Sequence, residues 1–127
     1  MIFSRVFFMF HHIRARRKRE HIRALAELMS IRGVCKHGYP GFLYVEGEDV
    51  SIQKYLKEIK RMKWQSVEVR RKEQQELRDT DCTIDRKVQR LQGPFTVVEV
   101  DTSKELSEIL RTAGLGDFLH KAMVGTG

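Results

Sequence analysis

The 127-residue sequence contains no asparagine, only two cysteines and two prolines, and no long apolar run. The apolar opening, from Met1 to Phe10, is far shorter than the roughly 20 residues that a transmembrane helix needs. Basic residues follow this opening instead of preceding it, so it lacks the form of a secretory signal. Cys35 and Cys82 form neither a metal-type spacing nor a disulfide framework. We therefore expect an intracellular protein with reduced thiols and no membrane span.

Positive charge is concentrated at one end of the chain. The composition, with 41% hydrophobic and 32% charged residues, is typical of a folded protein, and the length predicts a single domain over 1–127. The net charge is +7, and residues 1–32 hold eight Lys and Arg against two Asp and Glu. Residues 96–127 hold three against five. Clustered cations suit nucleic acid or an anionic membrane, although a solvated helix face has the same pattern.

The first part of the chain predicts the succession β-α-β-β-α-β. Residues 5–13 are apolar and aromatic at successive positions, which is typical of a strand buried on both faces. Residues 15–31 repeat apolar side chains at helical spacing, which predicts an amphipathic helix that ends at Gly33. The following elements are predicted as strands over 34–37 and 42–46, a helix from Asp49 to about Lys63 and a strand over 65–71 with one solvated face.

A polar segment separates this succession from the C-terminal elements. Residues 72–94 are rich in Glu, Gln, Arg and Asp, and we expect a mobile loop or an exposed helical excursion there. Thr102 and Glu105 have the spacing of a capping box, in which the two residues satisfy each other's backbone amides. The predicted elements are a strand over 95–100, a helix to about Thr112 and a short helix over 115–123.

The succession predicts an α+β, ferredoxin-like fold with a C-terminal β-α extension. In that topology the first and third strands are central, and the strands at 5–13 and 42–46 are the most continuously apolar. We therefore predict a four-stranded antiparallel sheet in which these strands are neighbours, with the two amphipathic helices on one face. Small acylphosphatases resemble this fold and use an arginine with an asparagine. The chain has no asparagine, so we do not expect that activity.

Four local sequences, in order along the chain, resemble one known family. They are Ser4 with His11-His12-Ile13, the segment 38–47 (Gly-Tyr-Pro-Gly-Phe-Leu-Tyr-Val-Glu-Gly), the pair Lys63-Trp64 before a strand of the type Val-x-Val-Arg, and Gly114-Leu-Gly-Asp-Phe-Leu119. Together they resemble the Prp-three C-terminal domain family over nearly the whole chain, from Phe3 to about Val124. This family occurs at the end of a splicing factor of the spliceosomal tri-snRNP and, in other eukaryotic proteins, after an RWD domain.

The resemblance implies a ferredoxin-like fold and, for the splicing-factor branch, recognition of small nuclear RNA. It also implies a nuclear location if that branch applies, and a cytoplasmic one otherwise. It assigns no individual RNA contact to this chain, so the candidate residues below rest on charge and geometry. RNA is the partner that we predict, and an unidentified protein is the alternative.

Catalytic and metal chemistry has little support in the sequence. His11, His12 and His37 could approach one another, but neighbouring strand residues point to opposite faces, so His11 and His12 do not readily ligate one ion. The Gly114-Leu-Gly116 sequence lacks the third glycine and the preceding strand of a dinucleotide loop. No serine or cysteine is visibly placed beside a base and an orienting acid. We therefore expect no enzymatic activity, no metal and no cofactor.

Basic residues around the junction of the first strand and first helix form the candidate RNA-binding site. Arginine offers a planar fork to phosphates, and a helix start adds amide donors. Cations at this end of a helix oppose its macrodipole by about 0.3–1 kcal/mol each, which favours a functional reason for them, and solubility is the alternative reason. Some of the candidates are expected to converge at one edge of the sheet. They are Arg14, Arg16, Arg17, Lys18, Arg19, Arg23, Lys36, Arg70 and Arg71.

Aromatic residues have two interpretations. Those of the two central strands could stack on bases of single-stranded RNA, but core packing is favoured because the C-terminal helices can cover that face. They are Phe7, Phe8, Phe10, Phe42 and Tyr44. Trp64 is predicted to be a largely buried core anchor. The sequence thus predicts a non-catalytic RNA-binding domain, and the alternative is a protein-interaction module.

Overall fold

The structure, a computed structural model, describes residues 1–76 and 90–124. Within these ranges five strands and four helices follow one another. The strands are β1 (Ile2–Phe10), β2 (Arg32–Lys36), β3 (Gly41–Glu48), β4 (Val67–Glu76) and β5 (Val97–Val100). The helices are α1 (Arg16–Leu28), α2 (Asp49–Arg61), α3 (Ser103–Thr112) and α4 (Gly116–Val124).

The strands form one sheet in the order β4-β1-β3-β2-β5. β1 pairs antiparallel with β3, from Phe3 opposite Glu48 to Phe10 opposite Gly41, and antiparallel with β4 on its other side. The prediction that the first and third strands are interior neighbours is therefore confirmed. The predicted four-stranded antiparallel sheet is wrong in one respect, because β5 joins it as a fifth strand, parallel to β2. β5 covers the edge of β2, whose central residues are apolar and buried. The fold is α+β and ferredoxin-like, with this strand added.

Side chains of the sheet enter two cores, because successive strand residues point to opposite faces. Val6, Phe8 and Phe10 pack with residues of α1 and α2, whereas Phe7 packs with residues of α3 and α4. The six aromatic residues of β1 and β3, which are Phe3 and the five candidates for base stacking, are each at most 3% exposed. Each buried ring contributes about 1.5–3 kcal/mol to folding. Their interpretation as core residues is confirmed, so they cannot stack on a bound base.

Two predicted boundaries at the N-terminal end are wrong. β1 covers residues 2–10 instead of 5–13, because the chain leaves the ladder at His11, whose amide donates to the Ser66 carbonyl at 3.1 Å. α1 ends at Leu28, before the predicted residue 31. Gly33 does not terminate that helix but lies within β2, where a Cβ atom would come within 2.3 Å of the Tyr44 carbonyl oxygen. Glycine is needed there for close strand packing and not as a helix stop.

The beginning of the predicted loop at 72–94 is a strand. β4 continues to Glu76 along the whole of β1, and its polar side chains are compatible with an edge position, where one side faces solvent. Residues 77–89 of that predicted loop lie outside the described residues. The predicted cap of α3 is confirmed, since the Glu105 amide donates to the Thr102 hydroxyl at 3.1 Å. The short helix after it is also confirmed, as α4.

A buried carboxylate joins β3 to the segment before β5. Glu46 is 2% exposed, and its Oε2 accepts hydrogen bonds from the amides of Arg90 and Leu91 at 3.0 and 3.1 Å. Its Oε1 accepts from the Tyr44 hydroxyl at 2.7 Å, and Arg5 donates to that hydroxyl oxygen at 3.3 Å. Burial raises the pKa of Glu46 above its ordinary value, although these donors favour the ionised form. One side chain therefore connects β1, β3 and the chain that leads into β5.

We predict that Glu46→Ala lowers the free energy of unfolding by about 3–5 kcal/mol, because two backbone amides and the buried Tyr44 hydroxyl are left without their acceptor. Urea denaturation measures this difference. Glu48→Ala removes an exposed carboxylate on the same strand and is the matched control, with an expected change of about 0.5 kcal/mol or less. Equal destabilisation in the two variants would show that the buried carboxylate does not stabilise the fold.

Candidate nucleic-acid interface

The nine candidate cations do not converge at one edge of the sheet. The structure separates them into groups that lie on different surfaces. The groups are Arg14, Arg17 and Lys18 around the start of α1; Arg16, Arg19 and Arg23 on the flank of α1 that faces β5; and Lys36, Arg70 and Arg71 on strands. Only Arg16, Arg19 and Arg23 come together beside an edge strand, β5, whereas Arg70 and Arg71 lie on β4 at the opposite edge of the sheet.

The three strand cations have partners within the protein. Lys36 is 7% exposed, and its Nζ donates to the Pro40 carbonyl at 2.8 Å, which holds the turn between β2 and β3. Arg70 donates from Nε to the Ala122 carbonyl at 2.9 Å, near the end of α4, where helix carbonyls lack intrahelical partners. Arg71 is half-buried and pairs with a glutamate of its own strand. These contacts give the three residues structural roles, so they are weaker RNA candidates.

Lys18 and Trp64 connect α1 to the loop after α2. The Lys18 ammonium lies 4.5 Å from the centre of the Trp64 ring and donates to the Lys63 carbonyl. The indole Nε1 donates to the Ile59 carbonyl at 2.8 Å, and the ring lies 4.5 Å from that of Phe10. Trp64 packs against the core as predicted, and part of its ring stays accessible because it lies at the rim. It is held in one orientation and still has solvent-accessible surface.

Three further rings lie at this end of the sheet. The His11 ring is 5.3 Å from that of His12 and 4.9 Å from that of Tyr39, edge-on in both cases. Tyr39 is 62% exposed. The hydrogen bond from the His11 amide to the Ser66 carbonyl brings this group beside the loop that carries Trp64. Aromatic rings that could contact bases are therefore present, but in the loops and not on the sheet face.

We call this surface the basic pole. It is defined by Arg14, Arg17, Lys18 and Lys63 together with the rings of His11, His12, Tyr39 and Trp64. Arg14, Arg17 and Lys63 are exposed, and in the described part of the chain none of them has an ion-pair partner. Charge and periodicity did not indicate its aromatic part, because loop residues have no repeating pattern. The family resemblance was the sequence feature that pointed to these rings, because segments 11–13, 38–41 and 63–64 belong to the local sequences that carry it.

The first turn of α1 opens onto the basic pole. Ala15 occupies the N-cap position and offers no side-chain hydrogen bond to the turn, which contains no acidic residue. The first turn instead contains Arg16, Arg17 and Lys18. Open backbone amides and positive side chains both favour an anion at this position.

Positive charge changes the acidity of His12. Burial lowers the pKa of His12 below its usual 6.5, and the neighbouring charges of Arg14, His11 and Lys18 lower it further. This environment favours the neutral imidazole in the free protein. A phosphate bound beside it would favour the protonated ring.

Two of the three arginines on the β5 flank of α1, Arg16 and Arg19, are already engaged. Arg19 donates to Glu99 at 2.7 Å from Nη2 and at 3.3 Å from Nε, while Arg16 donates to Glu20 at 2.9 Å. The hydrogen bonds from Arg19 hold the pKa of Glu99 below its usual range. Because these cations have carboxylate partners, they are less available to RNA phosphates than those of the basic pole.

Metal ligands do not cluster in the described ranges, 1–76 and 90–124, where no three His, Cys, Asp or Glu side chains could hold an ion together. His37 Nε2 lies 2.7 Å from an Asp101 carboxylate oxygen. Cys35 is buried, and burial raises the pKa of its thiol to about 12, whereas Cys82 lies outside the described residues. None of the helices in these ranges is long and apolar enough to cross a bilayer.

Comparison with protein families gives one match over nearly the whole chain. Residues 6–122 match the family described as "Small nuclear ribonucleoprotein Prp3, C-terminal domain". The chain belongs to this family. The resemblance inferred from local sequences is thereby confirmed, and three of the four segments that carried it have residues at the basic pole.

Solved structures share the fold at low sequence identity. Klebsiella pneumoniae BlrP1, in a complex with calcium and cy-diGMP, superposes with a TM-score of 0.57 and 18% identity over 88% of this chain and 28% of that protein. A bacterial light-regulated adenylyl cyclase gives 0.54 and 12%, over 95% of this chain and 34% of the cyclase. The chain thus spans about a third or less of either protein. At these identities the likeness extends to the fold alone.

We predict that Arg14→Gln raises the pKa of His12, because it removes a positive charge that disfavours protonation of the ring. The value should stay below 6.5, since burial remains the first cause of the shift. NMR titration of the imidazole carbon-bound protons measures it, and Arg23→Gln, on the other flank of α1, is the matched charge control. A His12 titration that does not move with Arg14→Gln would place Arg14 away from this ring.

Proposed function

We propose that the domain binds RNA without catalysing a reaction, and that the basic pole is the surface it uses. The RNA we propose is a small nuclear RNA, within a nuclear ribonucleoprotein that takes part in splicing. The family description names such a particle. The observation that carries the proposal is the position of cations without ion-pair partners, among the described residues, beside an exposed tyrosine and an oriented tryptophan.

Phosphates and bases have separate contacts in this proposal. Arg14 and Arg17, together with the open first turn of α1, are suited to bind backbone phosphates, which positions RNA without reading its sequence. Tyr39 and the accessible part of Trp64 are suited to stack on unpaired bases. Helices cover both faces of the sheet, so bases cannot stack on its aromatic residues. In this proposal they stack at the basic pole, at the end of the sheet.

We predict that the triple variant Arg14→Gln, Arg17→Gln, Lys18→Gln weakens binding to RNAs of different sequence by similar factors. The salt dependence should become shallower, by about 0.7 in log–log slope for each phosphate of a single strand that the variant no longer binds. Anisotropy of a labelled RNA measures binding, because Lys18 lies over the Trp64 ring and its replacement would alter the tryptophan fluorescence. Single-stranded and structured RNAs titrated over a range of salt concentrations supply both quantities.

The matched control is Arg16→Gln, Arg19→Gln, Arg23→Gln, which removes three of the same charges from the other flank of α1. Both variants reduce the net charge of +7 by three, so a long-range effect of net charge would be equal in them. An equal decrease of affinity in the two variants would contradict the basic pole as the site. No binding by the parent at low salt would leave a protein-interaction module as the better account. Cleavage of the RNA during titration would contradict a non-catalytic role.

We also predict that Tyr39→Ala weakens binding to single-stranded RNA by about fivefold or more, because stacking on one base is worth about 1–3 kcal/mol. The salt slope should not change, since no charge is removed. Tyr39→Phe keeps the ring and should bind as the parent does. Binding of Tyr39→Ala at parental strength would show that this ring does not stack on a base.

A further inference from the structure

The outer edge of β5 presents backbone groups without partners in the described part of the chain. Gly33 donates from its amide to the Thr96 carbonyl at 3.0 Å, and the parallel register pairs Gly33 with Val97 and Cys35 with Glu99. In a parallel ladder with this register, the amides and carbonyls of Val97 and Glu99 point away from β2. Two donors and two acceptors therefore face outward in the plane of the sheet.

An apolar groove lies on one side of this edge. Val98 is 53% exposed although it is a strand valine, and it lines a cavity of about 140 Å³ together with Leu91, Pro94 and Ile109. The cavity can accept an apolar side chain from a strand paired with β5. A second strand at this position would cover Val98, which is otherwise exposed on a short edge.

Arginines line the other side of the same edge. Arg16, Arg19 and Arg23 surround a second cavity of about 280 Å³ with two glutamates, Glu20 and Glu99. The glutamates pair with Arg16 and Arg19, and among the described residues Arg23 has no ion-pair partner. The charge of this side is therefore +1, counted as three arginines minus two glutamates, which favours an acidic side chain.

We propose that β5 is a docking edge for an extended segment of a partner protein in which apolar and acidic residues alternate. Alternate side chains of an added strand point to opposite faces. One set would enter the groove at Val98, and the other would face Arg23, while the backbone pairs with Val97 and Glu99. Strand addition of this kind obtains affinity from the main chain and specificity from the alternating side chains.

Two other occupants fit this edge less well. RNA phosphates accept hydrogen bonds but do not donate them, so they leave the outward carbonyls of Val97 and Glu99 unpaired. A second copy of the chain, paired through its own β5, would bring two arginine-rich flanks together at the same junction. An acidic, apolar strand from a different protein satisfies the backbone and both flanks.

Fluorescently labelled octapeptides, titrated with the intact chain and followed by anisotropy, test the proposal. A peptide of alternating Glu and Val should bind, and one of alternating Lys and Val should bind at least about tenfold more weakly, which corresponds to about 1.4 kcal/mol. Hydrogen exchange at the amides of Val97 and Glu99 should slow when the first peptide is present. Equal binding of the two peptides, or protection at β4 instead of β5, would overturn the proposal.

Substitutions at Glu99 separate the backbone contact from the side chain. Glu99→Pro removes the outward amide without removing a bond to β2, and it should weaken peptide binding by about tenfold. Both Glu99→Pro and Glu99→Ala remove the ion pair with Arg19, but Glu99→Ala keeps the backbone amide. Glu99→Ala is therefore the matched control, and it should bind the peptide at least as well as the parent. If Glu99→Pro unfolds, the parent can be titrated with a Glu-Val peptide that is N-methylated at alternate residues and so lacks the amides that would pair with β5. Binding of this peptide as strong as that of the unmethylated one would overturn the proposal.

RNA binding and peptide binding are expected to be independent. The triple Gln variant of Arg14, Arg17 and Lys18 should bind the Glu-Val peptide as the parent does, whereas the triple variant of Arg16, Arg19 and Arg23 should not bind it. Self-association of the parent that Glu99→Pro abolishes would assign the edge to a second copy and overturn the partner proposed here.

Discussion

Burial of β1 on both of its faces is the constraint on which the rest of the structure depends. Phe8 and Phe10 enter the core beneath α1 and α2, and Phe7 enters the core beneath α3 and α4. In the described part of the chain, a helical layer covers each face of the sheet. The surfaces left for recognition are the ends of strands, the loops that join them and the free strand edges. Both proposed sites lie in such places.

α1 separates two kinds of positive charge by its helical geometry. Lys18 and Arg19 are neighbours in sequence, yet they flank opposite sides of the buried stripe that contains Ile22. Lys18 therefore reaches Trp64, whereas Arg19 reaches Glu99. Carboxylates therefore pair with Arg16 and Arg19 on one flank, whereas the cations at the basic pole have no ion-pair partner among the described residues. A single basic run in the sequence thus becomes two surfaces with different chemistry.

Much of the fold could be predicted because it is encoded in local pattern. Unbroken apolar runs indicated the interior strands, helical spacing indicated α1 and α2, and Thr102 with Glu105 indicated the start of α3. The errors have physical causes. Gly33 was interpreted as a helix stop, but its small size is required by the Tyr44 carbonyl on the next strand. The polar end of β4 looked like a loop because an edge strand carries the same residues as one.

The sequence by itself determined the order of elements, the two-sided burial of β1, the family and the presence of excess positive charge near the N-terminus. Each of these depends on residue type and spacing along the chain. Only the tertiary structure decided which cations have partners among the described residues, because Glu99 and the end of α4 reach Arg19 and Arg70 from distant positions in the sequence. The tertiary structure also decided that Tyr39 and Trp64 lie at one end of the sheet and that β5 is an edge strand. Both depend on the order of the strands, which places segments that are distant in sequence beside one another.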